Sequence, residues 1–266
     1  MDEIEKYMNT NRSLWDGWTE INKNSKLYDL DGFKAGKNKL KSIELEELTD
    51  VAGKSLLHLQ CHFGIDTMSW ARMGAKVTGV DFSPKAISLA KLLSEELHIP
   101  ARFIESDIYE LPKVLDEKFD ILFTSYGVLV WIRDIERWAG IIAKYLKPGG
   151  IFYMVEFHPL LEMLDDDGER FEYPYCHSPE PIKCESEGNY ADPGHDFRHD
   201  SYEWSYGLGE VVTALINSGL RIEYLHEFPY CPTNCCPFFV EREPGKYVMK
   251  RDNGLAPLIF SIKAAL

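Results

Sequence analysis

The sequence has no block of lysine and arginine, no long apolar run, no regular cysteine ladder and no glycine-rich triplet loop. Each absence removes a class of function. Across 266 residues, 29 basic side chains stand against 43 acidic ones, a formal net charge of −14. Nucleic-acid binding depends on Lys and Arg neutralising phosphates, so this balance argues against a nucleic-acid partner and against an anionic membrane surface. No stretch approaches the roughly 20 apolar residues of a membrane span. The opening MDEIEKYMNTNRS has no apolar core of secretory type. The six cysteines (Cys61, Cys176, Cys184, Cys231, Cys235 and Cys236) are not spaced as a disulfide framework and read as reduced thiols in the cytoplasm.

What is present is an alternation of short apolar runs with amphipathic ones. SLLHLQ (55–60), AKVTGVD (75–81), RFIESD (102–107), FDILFTSY (119–126) and GIFYMVEF (150–157) read as strands. Between them, IDTMSWARMG (65–74), SPKAISLAKLLSEEL (83–97) and DIERWAGIIAKYL (134–146) have helical spacing. Ser83-Pro84 marks a helix start and Lys147-Pro148-Gly149-Gly150 a helix stop. This alternation implies a mainly parallel sheet covered on both faces. GLGEVVTALINSGL (207–220) restores a helix, and RIEYLHEF (221–228) and LIFSIKAAL (258–266) read as closing strands. Two short helical stretches around YDLDGFKAGK are expected before residue 50.

Open α/β sheets bind ligands at the carboxyl ends of their strands. Three signals sit there. Gly64 follows the first strand and allows close backbone approach. Asp81 ends the second strand, where a carboxylate can accept ribose hydroxyls. Asp107 ends the third, within reach of an adenine amino group.

LLHLQCHFG, VTGVDFS, ESDIYELP, FDILFTSYGVLVW and LKPGG together resemble the class I S-adenosylmethionine-dependent methyltransferases, over roughly residues 10–266. The chain also resembles a bacterial subgroup in which the first loop reads LHLQCHFG. The resemblance implies an α/β, Rossmann-like fold: seven strands, mostly parallel, the last antiparallel, with helices on both faces and an inserted cap after strand five. It implies S-adenosyl-L-methionine as the cofactor. The first loop, Gln60, Cys61, His62 and Gly64, would hold the methionine part and the sugar. Asp81 would bind the ribose hydroxyls, with Phe82 beside the adenine and Ser83 also on the cofactor. Asp107 and Ile108 would hold the adenine, and Ser125 and Tyr126 would line the sulfonium end. A mobile N-terminal cover around Tyr28, Phe33 and Lys37 would close over the cofactor. The implied division is 1–50 as a helical lid, 51–158 as the cofactor-binding core, 159–206 as an inserted cap and 207–266 as the rest of the α/β core.

The first loop departs from the family's pattern of an acid followed by Gly-x-Gly-x-Gly. His58, Gln60 and His62 stand where the acid and two glycines belong. His58 reads as a hydrogen-bonded core histidine and Cys61 as a small core residue, since nothing cationic adjoins it.

Methyl transfer from a sulfonium is an in-line displacement that needs orientation more than a fixed catalytic motif. Glu156 and His158, in EFHP after strand five, are the candidates for a general base, set against a purely hydrogen-bonding role. Segment 159–206 carries 13 acidic side chains against three basic ones, with eight aromatics among them. Carboxylates beside aromatic faces suit a cationic or amine acceptor; a solvated acidic face is the plainer alternative. No metal is expected: Cys176, His177, Cys184, His195 and His199 form no zinc pattern, and adjacent Cys235 and Cys236 share a tetrahedral site poorly. Two rival functions remain. A non-catalytic cofactor-binding protein would explain the missing glycines. A nicotinamide-dependent reductase would use Asp81 on a dinucleotide ribose, but QCHFGID is not its G-x-G-x-x-G.

Overall fold

A computed structural model describes residues 3–251 and 254–266. The first two residues of the expected lid therefore lie outside the description. In place of two short helical stretches, the N-terminal segment forms α1 (Glu3–Asn22), α2 (Leu30–Lys34) and α3 (Ser42–Glu47). The α1 helix is 20 residues long because Leu14, Trp18 and Ile21 repeat at helical spacing and bury one face.

The expected α/β alternation follows: β1 (Ser55–Leu59), α4 (Ile65–Arg72), β2 (Lys76–Asp81), α5 (Pro84–Glu96), β3 (Ala101–Glu105), β4 (Phe119–Ser125), α6 (Ile135–Tyr145) and β5 (Leu146–Phe157). Ser83 caps α5 as expected, its hydroxyl accepting from the Ala86 amide at 3.1 Å. Lys147-Pro148-Gly149-Gly150 loops out at the start of β5, where the pairing jumps from Phe119–Leu146 to Ile121–Ile151.

Then come α7 (Pro159–Glu162), β6 (Ile182–Glu187), β7 (Arg198–Glu203), α8 (Leu208–Asn217), β8 (Arg221–Phe228), β9 (Phe239–Glu243), β10 (Lys246–Met249) and β11 (Ile259–Ala265). The central sheet has seven strands in the order β3-β2-β1-β4-β5-β11-β8. Its first five strands are parallel, and β11 runs antiparallel to both β5 and β8. This is the Rossmann-like sheet expected from the sequence.

Two hairpins were not expected. β6 and β7 pair inside segment 159–206, and β9 pairs with β10. The second carries a legible turn, Pro244-Gly245, with Gly245 at φ +72°. The first is hidden because β7, RHDSYE, is polar and buries only Ser201 fully. It is tied down by α1: the Asn11 side chain donates to the Tyr202 carbonyl at 2.7 Å and accepts from the Tyr202 amide at 2.8 Å. Among the described residues, no helix is long and apolar enough to cross a membrane.

Candidate functional site

The strand order reverses direction between β1 and β4, and the cavity opens at the carboxyl ends of these strands, as the geometry of such sheets requires. Its volume is about 950 Å³. The loop after β1, the tips of β2 and β4, the segment after β3, helix α1 and segment 159–206 all contribute to its wall.

The first loop keeps the backbone of a glycine loop without its glycines. Gln60, His62 and Gly64 have φ of +57°, +52° and +73°, all left-handed. For a residue with a Cβ that conformation costs about 1–2 kcal/mol, and such strain concentrates at functional sites. Gly64 is required on steric grounds too, since a Cβ there would overlap the Phe103 ring.

The two replacement side chains line the cavity and are held by neighbouring segments. The Gln60 amide donates to the Val128 carbonyl at 3.2 Å, tying this loop to the one after β4. His62 packs among Trp15, Tyr28 and Phe63, with ring centroids 5.2, 5.4 and 4.4 Å away. Burial pushes its imidazole down to about 3, so it is neutral at physiological pH.

Asp81 and Asp107 line the same cavity. Asp81 is 6% exposed; one oxygen accepts from the His62 amide at 2.8 Å and the other from the Ser83 amide at 2.9 Å. Each oxygen keeps a further lone pair for a ligand. Burial outweighs these hydrogen bonds and raises the carboxyl to about 6. Asp107 accepts from the Tyr109 amide at 2.7 Å and pairs with Arg133 at 3.2 Å, while the guanidinium stacks 4.0 Å from the Tyr109 ring.

Cys61, Phe82, Ile108, Ser125, Tyr126 and Tyr28 also line the cavity. The Tyr126 hydroxyl donates to Glu44 at 2.9 Å, and burial raises Glu44 to about 7. The Tyr28 and Tyr190 hydroxyls meet at 2.5 Å, joining the N-terminal segment to segment 159–206 above the first loop.

Four sequence-chosen residues sit elsewhere. Phe33 is fully buried in a core cluster under the Arg72 guanidinium, 4.1 Å from its centroid, so it is a packing residue. The Ser83 side chain caps α5 and donates to Asp16 at 2.6 Å, outside the cavity wall. Glu156 is 2% exposed and its carboxylate is spent on backbone amides: Gly127, Val128 at 2.7 Å, Leu129 at 3.2 Å and Phe157 at 2.7 Å. His158 caps α7 with Nδ1 and bonds Glu227 through Nε2 at 2.9 Å. Neither of the expected bases faces the main cavity; both position the loops around it. His58 is the expected core histidine, 2.8 Å from Thr67 through Nδ1 and held neutral by burial, at about 3.

Sequence reasoning passed over Asp66, Lys39 and Lys41, and took Glu162 only as one of the 13 acidic side chains of segment 159–206. Glu162 is solvent-exposed and lines the cavity. Desolvation by the surrounding protein, then the charges of Glu156 and Glu203, raises it to about 8. Its place directly after the EFHP strand end was the available signal.

Among the described residues, the cavity wall also holds buried polar atoms that lack a hydrogen-bond partner, Gln60 Oε1 and His62 Nδ1 among them. Buried polar atoms of that kind call for a ligand or water.

Residues 57–154 match the family model described as a methyltransferase domain. The ubiquinone biosynthesis O-methyltransferase of Proteus mirabilis is 29% identical over 130 residues, covering 47% of this chain and 53% of that protein. An uncharacterised methyltransferase of Synechocystis is 31% identical over 125 residues, covering 46% and 56%. The chain thus spans about half the length of the curated relatives it matches. Among solved structures, an S-adenosylmethionine-dependent methyltransferase from Clostridium acetobutylicum superposes with a TM-score of 0.57 at 17% identity, covering 84% of this chain and 88% of that one. One from Mesorhizobium loti gives 0.56 at 18% identity, covering 88% and 100%. At such identities the likeness is one of fold.

Proposed function

We propose, from the match of residues 57–154 to a methyltransferase-domain model and from the Rossmann-like sheet, that the chain transfers a methyl group from S-adenosylmethionine to a small-molecule acceptor. The observation that carries this reading is the meeting of Asp81, Asp107 and the left-handed 60–64 loop in one cavity at the switch point of the sheet. Asp81 would accept both ribose hydroxyls, and Phe82 and Ile108 would flank the adenine. Ser125 and Tyr126 would stand beside the sulfonium. The cofactor supplies a methyl that is already activated. The chain's residues therefore orient the acceptor and exclude water, which can lower the barrier by roughly 7–11 kcal/mol.

An amine acceptor is the class the wall favours. Segment 159–206 brings Glu162, Asp165, Asp166, Glu172 and Glu203 to the cavity, and its one lysine there, Lys183, is already paired with Glu185 and Asp200. A protonated amine would be drawn to that excess of carboxylate. Glu162, raised to about 8, is the group placed to take its proton once ionised, from about that pH upward. Oxygen acceptors are the second reading, supported by the names of the ubiquinone-pathway relatives.

The test is methyl release from labelled cofactor over matched panels of amines, catechols and anionic acceptors. Turnover confined to the amines supports the favoured class, and turnover confined to catechols selects the second reading. No turnover with any acceptor, with the cofactor still bound, would leave a binding protein in place of an enzyme.

A further inference from the structure

Asp66 stands in the first turn of α4, two residues after Gly64, with its carboxylate on the cavity wall. It makes no hydrogen bond or ion pair among the described residues; the charges acting on it are those of Lys41 and then Lys39. Burial pushes its carboxyl up. A desolvated carboxylate without a partner is costly to keep, and a cation beside it removes that cost.

The same end of the cavity holds two cations from the segment before α3. Lys39 and Lys41 both line it. The Lys39 amide donates to Ser69 Oγ at 3.2 Å, which ties this segment against α4 one turn beyond Asp66. Lys39 is already engaged by Asp29 at 3.6 Å, which leaves Lys41 as the freer cation. The position at the end of β1 supplies no charge. His58 is held neutral by burial and shares its Nδ1 with Thr67. Gln60 offers Oε1, buried and without a partner among the described residues.

We infer that Asp66 and Lys41 form a receptor for an α-amino-acid group. Asp66 and Gln60 Oε1 take the ammonium, and Lys41, with Lys39 behind it, takes the carboxylate. The two charges act on each other across a gap, and a zwitterion placed there meets each with its opposite. The receptor stands in for the acid missing at His58. This inference rests on the cofactor reading above, because an S-adenosyl amino acid carries such a group at the end remote from its adenine.

The test compares two ligands by titration calorimetry on the full chain. S-adenosylhomocysteine has the amino-acid tail; 5′-methylthioadenosine is the same adenosine thioether without it. The wild-type chain should bind the first about a hundredfold more tightly. Asp66→Asn and Lys41→Met should each weaken S-adenosylhomocysteine about tenfold or more and leave methylthioadenosine unchanged. Asp66→Glu and Lys41→Arg should restore part of the loss. Unchanged affinity for S-adenosylhomocysteine in both variants overturns the receptor and leaves the cofactor reading standing. Equal weakening of both ligands also overturns it, since that marks a structural role. If the wild-type chain binds neither ligand, the cofactor reading falls and the receptor with it.

Discussion

The imidazole Nε2 of His62 lies 3.3 Å from the Thr19 hydroxyl, joining the loop after β1 to helix α1. Thr19 already donates its proton to the Trp15 carbonyl at 2.8 Å. Its oxygen must therefore accept, which puts the imidazole proton on Nε2 and leaves Nδ1 a buried acceptor with no partner among the described residues. A side chain at a glycine position thus fastens the N-terminal helix over the site.

His62→Gly separates that fastening from backbone strain. The variant is relieved of about 1–2 kcal/mol of left-handed strain and loses the contacts to Trp15, Tyr28 and Thr19. Global unfolding should change by less than about 1 kcal/mol, while amide exchange in α1 speeds up about tenfold. Unaltered protection of α1 would show that the helix is held by Leu14, Trp18 and Asn11 alone.

Gly64→Ala should harm the fold itself. The added methyl overlaps the Phe103 ring, and the left-handed φ adds strain. A loss of about 2–4 kcal/mol in urea denaturation is expected. A loss below 1 kcal/mol would mean that Phe103 moves aside freely.

Asp81 should make nucleotide binding depend on pH. Burial raises its carboxyl from the ordinary 3.8 to about 6, so the folded chain holds this proton more tightly than the unfolded chain. Ionising it costs stability as pH rises through that window, and the cost is constant above it. The ribose needs the ionised form, so affinity for S-adenosylhomocysteine should fall by up to about tenfold per unit as pH drops below 6. Asp81→Asn should flatten this dependence and weaken binding about ten- to a hundredfold at pH 8. Calorimetry at four pH values checks both; a dependence that persists in the variant assigns it to another group.

Glu156→Gln tests positioning against catalysis. The amide loses an acceptor and sets an NH₂ against main-chain N–H donors, so the 127–129 turn should loosen at a cost of about 2–3 kcal/mol. His158→Gln should be milder, because the carboxylate it bonds, Glu227, is half exposed. Wild-type stability in Glu156→Gln, together with a lost acid limb in the rate profile, would restore Glu156 as a base.

The sheet was legible because its strands are short apolar runs, with Asp81 ending β2, Asp107 two residues past β3 and Pro148-Gly149 just after α6. The positions of Gln60 and His62 in the loop were legible too, but not their left-handed backbone, because nothing in either residue announces φ > 0. Phe33 was misplaced since an aromatic in a lid segment packs inward as readily as over a ligand; only the Arg72 contact decides. Glu156 and His158 carried the right chemistry at the right strand end. Their partners, the amides of 127–129 and Glu227, come from remote segments that no local spacing reveals. Asp66 and Lys41 were invisible as a pair for the same reason.

The most direct measurement is a crystal structure of the full chain grown with S-adenosylhomocysteine. The expected density has the adenine between Phe82 and Ile108 and the ribose hydroxyls on the two Asp81 oxygens. Adenosine bound outside the 60–64 loop, or Asp81 with no contact to the ribose, would contradict the assignment.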